Sequence, residues 1–184
     1  MNEYEEIRKQ YKPERIKWLL IAESPPPPPE FGGSRHFYRA TPPRDDDRLF
    51  SHTMRALYED AAALSESDLQ SKKEQWLKRF CTDGCYMIEA LEESQVHSVT
   101  KKERQAKLKQ AIPRLLERVG ELAEVDTKII LIKSNPFDVM AEPLRDGGFT
   151  VLNEKLVDYP GIYNVTAYEQ KLRHLFVSQG WKTR

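Results

Sequence analysis

Ionisable and hydroxyl side chains at the ends of apolar runs are where this sequence offers chemistry. Ile16 to Ala22 is apolar at nearly every position and stops on Glu23 and Ser24, which five consecutive prolines, Pro25 to Pro29, follow. Ligands of open α/β sheets bind outside the carboxyl ends of the strands, so Glu23 and Ser24 are the first candidates for catalytic work. A stiff polyproline connector that merely ends the strand accounts for the same residues. Glu89 is the one carboxylate within the apolar run Gly84 to Leu91. It either reaches water at a strand end or sits in a pocket whose groups donate hydrogen bonds to it. Lys133 and Ser134 close a third apolar run just before Asn135-Pro136, where the free amides of a helix start can receive a phosphate.

Other polar clusters have plainer readings. Asp45, Asp46 and Asp47 suit the acidic first turn of a helix better than a metal site. Cys81 and Cys85 are the only cysteines, and their three-residue gap is not the usual paired-ligand spacing of a zinc site. No metal is expected. Gly32 and Gly33 precede Ser34-Arg35-His36-Phe37-Tyr38, so the aromatic pair Phe37 and Tyr38 either folds back over a pocket or anchors the core.

These residues need elements to hold them. The unbroken runs Ile16–Ala22 and Lys128–Lys133 suit strands buried on both faces, as in parallel sheets. Residues 3–12 suit a short helix that Pro13 terminates. Phe50, Met54, Leu57, Ala61 and Leu64 recur at helical intervals, and Ser67 or Asp68 suits the cap of a second helix carrying Leu69, Trp76, Leu77 and Phe80. A long helix carries Leu108, Ile112, Leu115, Leu116, Val119 and Leu122 behind the basic cluster Lys101, Lys102 and Arg104. Ser134 or Asn135 is expected to cap the next helix, with Pro136 at its first position and Asp146-Gly147-Gly148 at its end. A strand from Phe149 to Leu152, a loop centred on Asp158-Tyr159-Pro160-Gly161 and a final helix bearing Tyr168, Leu172, Leu175 and Phe176 complete the chain. Alternation of strands and helices predicts a three-layer α/β domain spanning residues 1–184, with a short, mostly parallel sheet covered on both faces.

Composition narrows the partners. The 184 residues carry 29 Lys and Arg against 29 Asp and Glu, so no overall field draws the chain to polyanions, and any nucleic-acid surface must come from local segregation of charge. The acidic start, Met-Asn-Glu-Tyr-Glu-Glu, and the absence of a long apolar stretch lead us to expect a cytoplasmic protein with no membrane partner. Neither the oligomeric state nor a protein partner is legible.

The order and spacing of the three loops resemble the uracil-DNA glycosylase superfamily. There a buried strand ends in Gly-Gln-Asp-Pro, Gly-Glu-Ala-Pro or Gly-Ile-Asn-Pro; here Ala22-Glu23-Ser24-Pro25 keeps the Glu and Pro of the second form. Gly32-Gly33-Ser34-Arg35-His36-Phe37-Tyr38 is similar to the Gly-rich loop and Arg-x-Phe-Trp element of the mismatch-specific branch. Gly84-Cys85-Tyr86-Met87-Ile88-Glu89 resembles the element ending in a base-recognising asparagine, with Glu89 in its place, and Tyr159-Pro160-Gly161 resembles the loop that enters the minor groove.

The resemblance implies a DNA-repair hydrolase that extrudes a base, stacks it on Phe37 or Tyr38 and cleaves its N-glycosidic bond without metal or organic cofactor. Ser24 stands where the family has a water-activating Asp or Asn. A hydroxyl positions water but is a poor general base near neutral pH, so Glu23 or Glu30 would assist. An ionised Glu89 only accepts hydrogen bonds and would repel the carbonyls of uracil, which predicts a base rich in amino and imino donors. Tyr159 would face the leaving base, and Pro160, Gly161, Lys133, Ser134 and Arg173, with Lys155, Lys171 and His174, would meet the strand. A catalytically silent nucleobase-binding module of the same fold and a proline-run interaction domain are the alternatives.

Overall fold

The computed structural model describes residues 3–27, 36–40, 47–95 and 100–183. Its centre is β1 (Trp18–Ala22), a run of five apolar residues that are all buried. β1 has a neighbour on each side: β2 (Cys85–Glu89) and β3 (Lys128–Leu131) both pair with it in parallel, setting Leu20 opposite Met87 and Ile130, so its side chains project only toward the two faces of the sheet. The short β4 (Thr150–Val151) continues the parallel sheet in the order β2-β1-β3-β4.

Among the described residues eight helices connect and cover these strands: α1 (Glu3–Lys9), α2 (Arg48–Leu57), α3 (Glu59–Ala62), α4 (Glu66–Ser71), α5 (Lys73–Thr82), α6 (Lys101–Leu122), α7 (Ser134–Asp146) and α8 (Val165–Ser178). α2 packs on α8, and α6 on α7. Right-handed crossovers require the α2–α5 segment on one face and α6 with α7 on the other, which gives the three-layer α/β architecture. Buried Thr53 of α2 meets the Tyr168 hydroxyl of α8 at 2.7 Å, and Trp18 stacks on Phe176 with ring centroids 4.0 Å apart. These contacts tie the last helix to the central strand.

Several boundaries differ from expectation for local reasons. The helix expected through Leu64 breaks at Tyr58, whose backbone is extended at φ −126° and ψ 124°. The Tyr58 hydroxyl donates to Asp83, so a tertiary bond competes with helix continuity there. Ser65, rather than Ser67 or Asp68, caps the following helix, and Lys72 separates α4 from α5. Asp47 alone of the acidic triplet is described, and it caps α2 by accepting from the Phe50 amide. Neither Ser134 nor Asn135 caps α7. That place belongs to Lys133 at φ +78°, a left-handed conformation rare for a lysine, and Ser134 is the first helical residue.

Candidate functional site

β1 and β2 stay zipped beyond their last strand residues, because the Ala90 and Leu91 amides donate to the carbonyls of Ala22 and Glu23 at 2.8 and 2.9 Å. On the other side the Ile132 amide donates to Ile21, and the Lys133 amide donates to Val157. The three strand ends thus present Glu23, Glu89 and Lys133 side by side. A fourth segment is brought in by Asn153, which is 1% exposed and whose side-chain amide accepts from the Leu131 N–H and donates to the Leu131 carbonyl, both at 3.0 Å. This side chain imitates a neighbouring strand. It fixes the start of the loop that carries Tyr159.

The result is a cleft of about 360 Å³ at the carboxyl edge of the sheet. Glu23, Ser24, Phe37, Glu89, Lys133 and Tyr159 all line it, so residues spread over most of the chain converge. Pro25, Pro26 and Pro27 form one wall, which makes the first part of the proline run a side of the cleft as well as a connector. Phe37, Leu49 and Ile132 supply apolar surface.

Electrostatics in the cleft are balanced and tightly paired. The Glu23 carboxylate forms an ion pair with the Lys133 ammonium, lies 3.6 Å from the Arg104 guanidinium and accepts from Asn135 Nδ2 at 3.3 Å. Glu89 accepts from Arg8 at 2.6 Å through Oε2, while Oε1 lies 3.3 Å from His36 Nε2. Burial pushes the Glu89 carboxyl up, but His36, Arg8 and Arg118 together outweigh it and hold its pKa below the ordinary value. Glu89 is therefore an ionised acceptor at the cleft floor.

The wall bearing Phe37 is set from behind. Lys73, itself 3% exposed, donates to the His36 carbonyl and pairs with buried Asp47. His36 rests against the Tyr4 ring, with centroids 4.7 Å apart.

Comparison of the chain with protein-family models, curated proteins and solved structures gives no match. The site therefore stands on its own geometry.

Not every expected residue reaches the cleft. Tyr38 is 1% exposed and lies behind it, accepting from the Met87 amide at 2.7 Å. The hydroxyl satisfies a backbone donor of edge strand β2, which makes Tyr38 a core anchor, and Phe37, although it borders the cleft, is itself 3% exposed with its ring packed against Phe50 and Phe80. Arg173 spends its guanidinium on the Arg55 and Ala56 carbonyls at the end of α2. Lys155, Lys171 and His174 line a separate cavity, and Lys171 is paired with Asp158. Ser134 opens α7 without lining the cleft, whereas Pro160 and Gly161 follow Tyr159 in the adjacent loop. Glu30 lies outside the described residues.

The contributions of Arg8, His36, Gln95, Arg104 and Asn135 escaped the sequence reading. Arg104 was visible only as part of a basic cluster at a helix start, Asn135 only as a possible helix cap and His36 only as a member of the Gly-rich loop, and no sequence signal singled out Arg8 or Gln95. The apolar tip beyond Gly161 was missed as well, with Ile162 69% and Tyr163 95% exposed. Among the described residues no group of three or more His, Cys, Asp or Glu side chains is arranged to hold a metal ion, and no helix is long and apolar enough to cross a membrane.

Proposed function

We propose that the cleft takes up a single nucleobase extruded from a nucleic acid, and that the chain is a divergent DNA glycosylase-like protein. The observation that carries this reading is the convergence of Ser24, Phe37, Glu89, Lys133 and Tyr159 on one cleft, the arrangement implied by the resemblance to uracil-DNA glycosylases. Half-buried Leu49, Pro26 and Pro27 give the cleft an apolar side against which a base can lie, with the Phe37 ring packed behind. Ionised Glu89 suits an edge that offers two adjacent donors, as guanine does through its imino and amino N–H groups. Each carboxylate oxygen has a second lone-pair direction beyond its contact with Arg8 or His36. Lys133 and Arg104 bring positive charge to the cleft, which suits a sugar-phosphate strand. The exposed side chains of Ile162 and Tyr163 are apolar and suit the gap left by an extruded nucleotide.

Hydrolysis would place water between Ser24 and the Glu23 carboxylate, with the Tyr159 hydroxyl donating to the departing base. A specific observation favours the silent binding module as the second reading. Glu23 and Glu89, the two acidic residues that line the cleft among the described residues, are both engaged by cations, and a hydroxyl stands where the family has its water-activating group. Duplex and single-stranded oligonucleotides carrying uracil, hypoxanthine, xanthine or mismatched thymine separate the two. Base release abolished by Ser24→Ala and Glu23→Gln supports the glycosylase. Salt-sensitive binding without release supports the module, and no binding to any of these strands refutes both.

A further inference from the structure

A second cavity, of about 410 Å³, lies across Glu89 and Pro25 from the cleft, between α1, the β2 edge and α6. Two of its lining residues are buried guanidiniums, Arg8 at 4% and Arg118 at 7% exposure. Arg114, Lys9 and Lys12 add positive charge around them.

The chain's own acids answer the peripheral charge, Glu117 pairing with Arg114 at 2.7 Å and Glu6 standing 4.0 Å from Lys9, but they do not fully satisfy the two buried guanidiniums. Glu5 and Glu89 are both spent on Arg8, whose buried Nε has no hydrogen-bond partner. Arg118 donates through Nη1 to the Glu89 carbonyl. Its Nε faces Glu92, but at 3.6 Å, beyond a good hydrogen bond, and the same carboxylate stands 3.6 Å from Arg114 Nε. Glu92 is about half exposed, and Glu121 also lines the cavity. Burial and the like charge of Arg8 both push the Arg118 guanidinium down, a direction that a further anion at this point would oppose.

We infer that the cavity between Arg8 and Arg118 binds a phosphoryl oxyanion, with the Glu92 carboxylate occupying the place of the ligand when it is absent. Guanidinium forks match phosphate oxygens in pairs, and two guanidiniums facing one cavity suit a tetrahedral anion better than a single carboxylate held at long range. Glu92 then acts as a built-in competitor. The cavity shares Glu89 and Pro25 with the cleft, so a nucleotide phosphate and a free phosphate are both sources of this chemistry. The inference is independent of base uptake and is read without any base present.

Calorimetric titration of the full chain with inorganic phosphate, at ionic strength held constant with chloride, tests it. Saturable binding is expected, weakened about tenfold or more by Arg118→Met and tightened about threefold by Glu92→Gln. The two variants move affinity in opposite directions, a pattern that general destabilisation does not produce. Glu92 is at the surface, so its variant keeps the test decisive if Arg118→Met fails to fold. Titration with a nucleoside monophosphate and with a short oligonucleotide then identifies the source by which one binds most tightly. Absence of saturable phosphate binding, or a Glu92→Gln affinity equal to that of the wild type, overturns the proposal.

Discussion

Lys73→Met is the substitution whose consequence follows most directly from the packing. Lys73 and Asp47 form an ion pair in which the two side chains are 3% and 4% exposed, and Lys73 also donates to the His36 carbonyl at 3.2 Å. Methionine keeps the stem's volume and removes the charge. Asp47 is then left buried with one capping bond, from the Phe50 amide at 3.3 Å, and the His36 carbonyl loses this donor. Stranding one member of a buried pair costs about 3–5 kcal/mol, whereas an exposed pair contributes about 0–1. The larger figure applies here because burial pushes the Lys73 ammonium down more than Asp47 restores it, the mark of a desolvated site. With a urea slope of about 2 kcal/mol per M, the unfolding midpoint should fall by about 2 M. Asp47→Asn combined with Lys73→Met removes both charges and keeps a capping side chain, so it should recover most of that loss. Urea unfolding followed by tryptophan fluorescence measures both. A single-variant loss below about 1 kcal/mol, or a double variant no better than the single, would refute the claim that this pair holds the cleft wall.

Three further outcomes are expected. Because the folded pKa of Glu89 is depressed, its charge contributes stability that is full above the unfolded value of about 4.3 and is lost as pH falls through the folded value. Unfolding midpoints of Glu89→Gln should therefore decline less steeply than wild type below about pH 4; parallel curves would show that Glu89 is not held ionised. Gly84→Ala should destabilise more than Gly148→Ala, although φ is +83° and +84° respectively, because an added Cβ at Gly84 would lie 2.9 Å from Lys17 Cγ and 3.2 Å from the Arg15 carbonyl, while at Gly148 it meets nothing within 4 Å. The backbone term of about 1 kcal/mol is common to both, so equal thermal shifts would discount the contact. Asn153→Leu should cost about 2–4 kcal/mol by leaving the Leu131 amide and carbonyl unpaired, and it should weaken oligonucleotide binding by displacing the Tyr159 loop. Unchanged binding would show that the loop is positioned by other contacts.

The layered α/β architecture was legible because burial on both faces leaves unbroken apolar runs, and Trp18–Ala22 and Lys128–Leu131 are such runs. Boundaries were less so. Tyr58 breaks a helix whose apolar spacing continues past it, since its hydroxyl has a partner 25 residues away. Lys133 takes a left-handed conformation at the place where sequence favours Ser134 or Asn135 as cap, and its side chain meets Glu23 from β1. Candidate cleft residues were readable where they end strands, as Glu23, Ser24 and Glu89 do. They were not readable where position depends on distant support: Phe37 and Tyr38 are adjacent aromatics, yet one lines the cleft and the other anchors the edge of β2. Likewise Arg104 faces Glu23 only because α6 crosses the sheet.

The central claim is that the cleft holds one base whose donor edge is read by ionised Glu89. Fluorescence anisotropy with duplexes carrying a single unpaired guanine or a single unpaired uracil, for wild type and Glu89→Gln, tests it most directly. The account predicts that wild type prefers guanine by about tenfold or more, the scale of a bidentate edge contact, and that Glu89→Gln erases most of that preference. Equal affinity of the wild type for both duplexes, or a preference that survives Glu89→Gln intact, would contradict it.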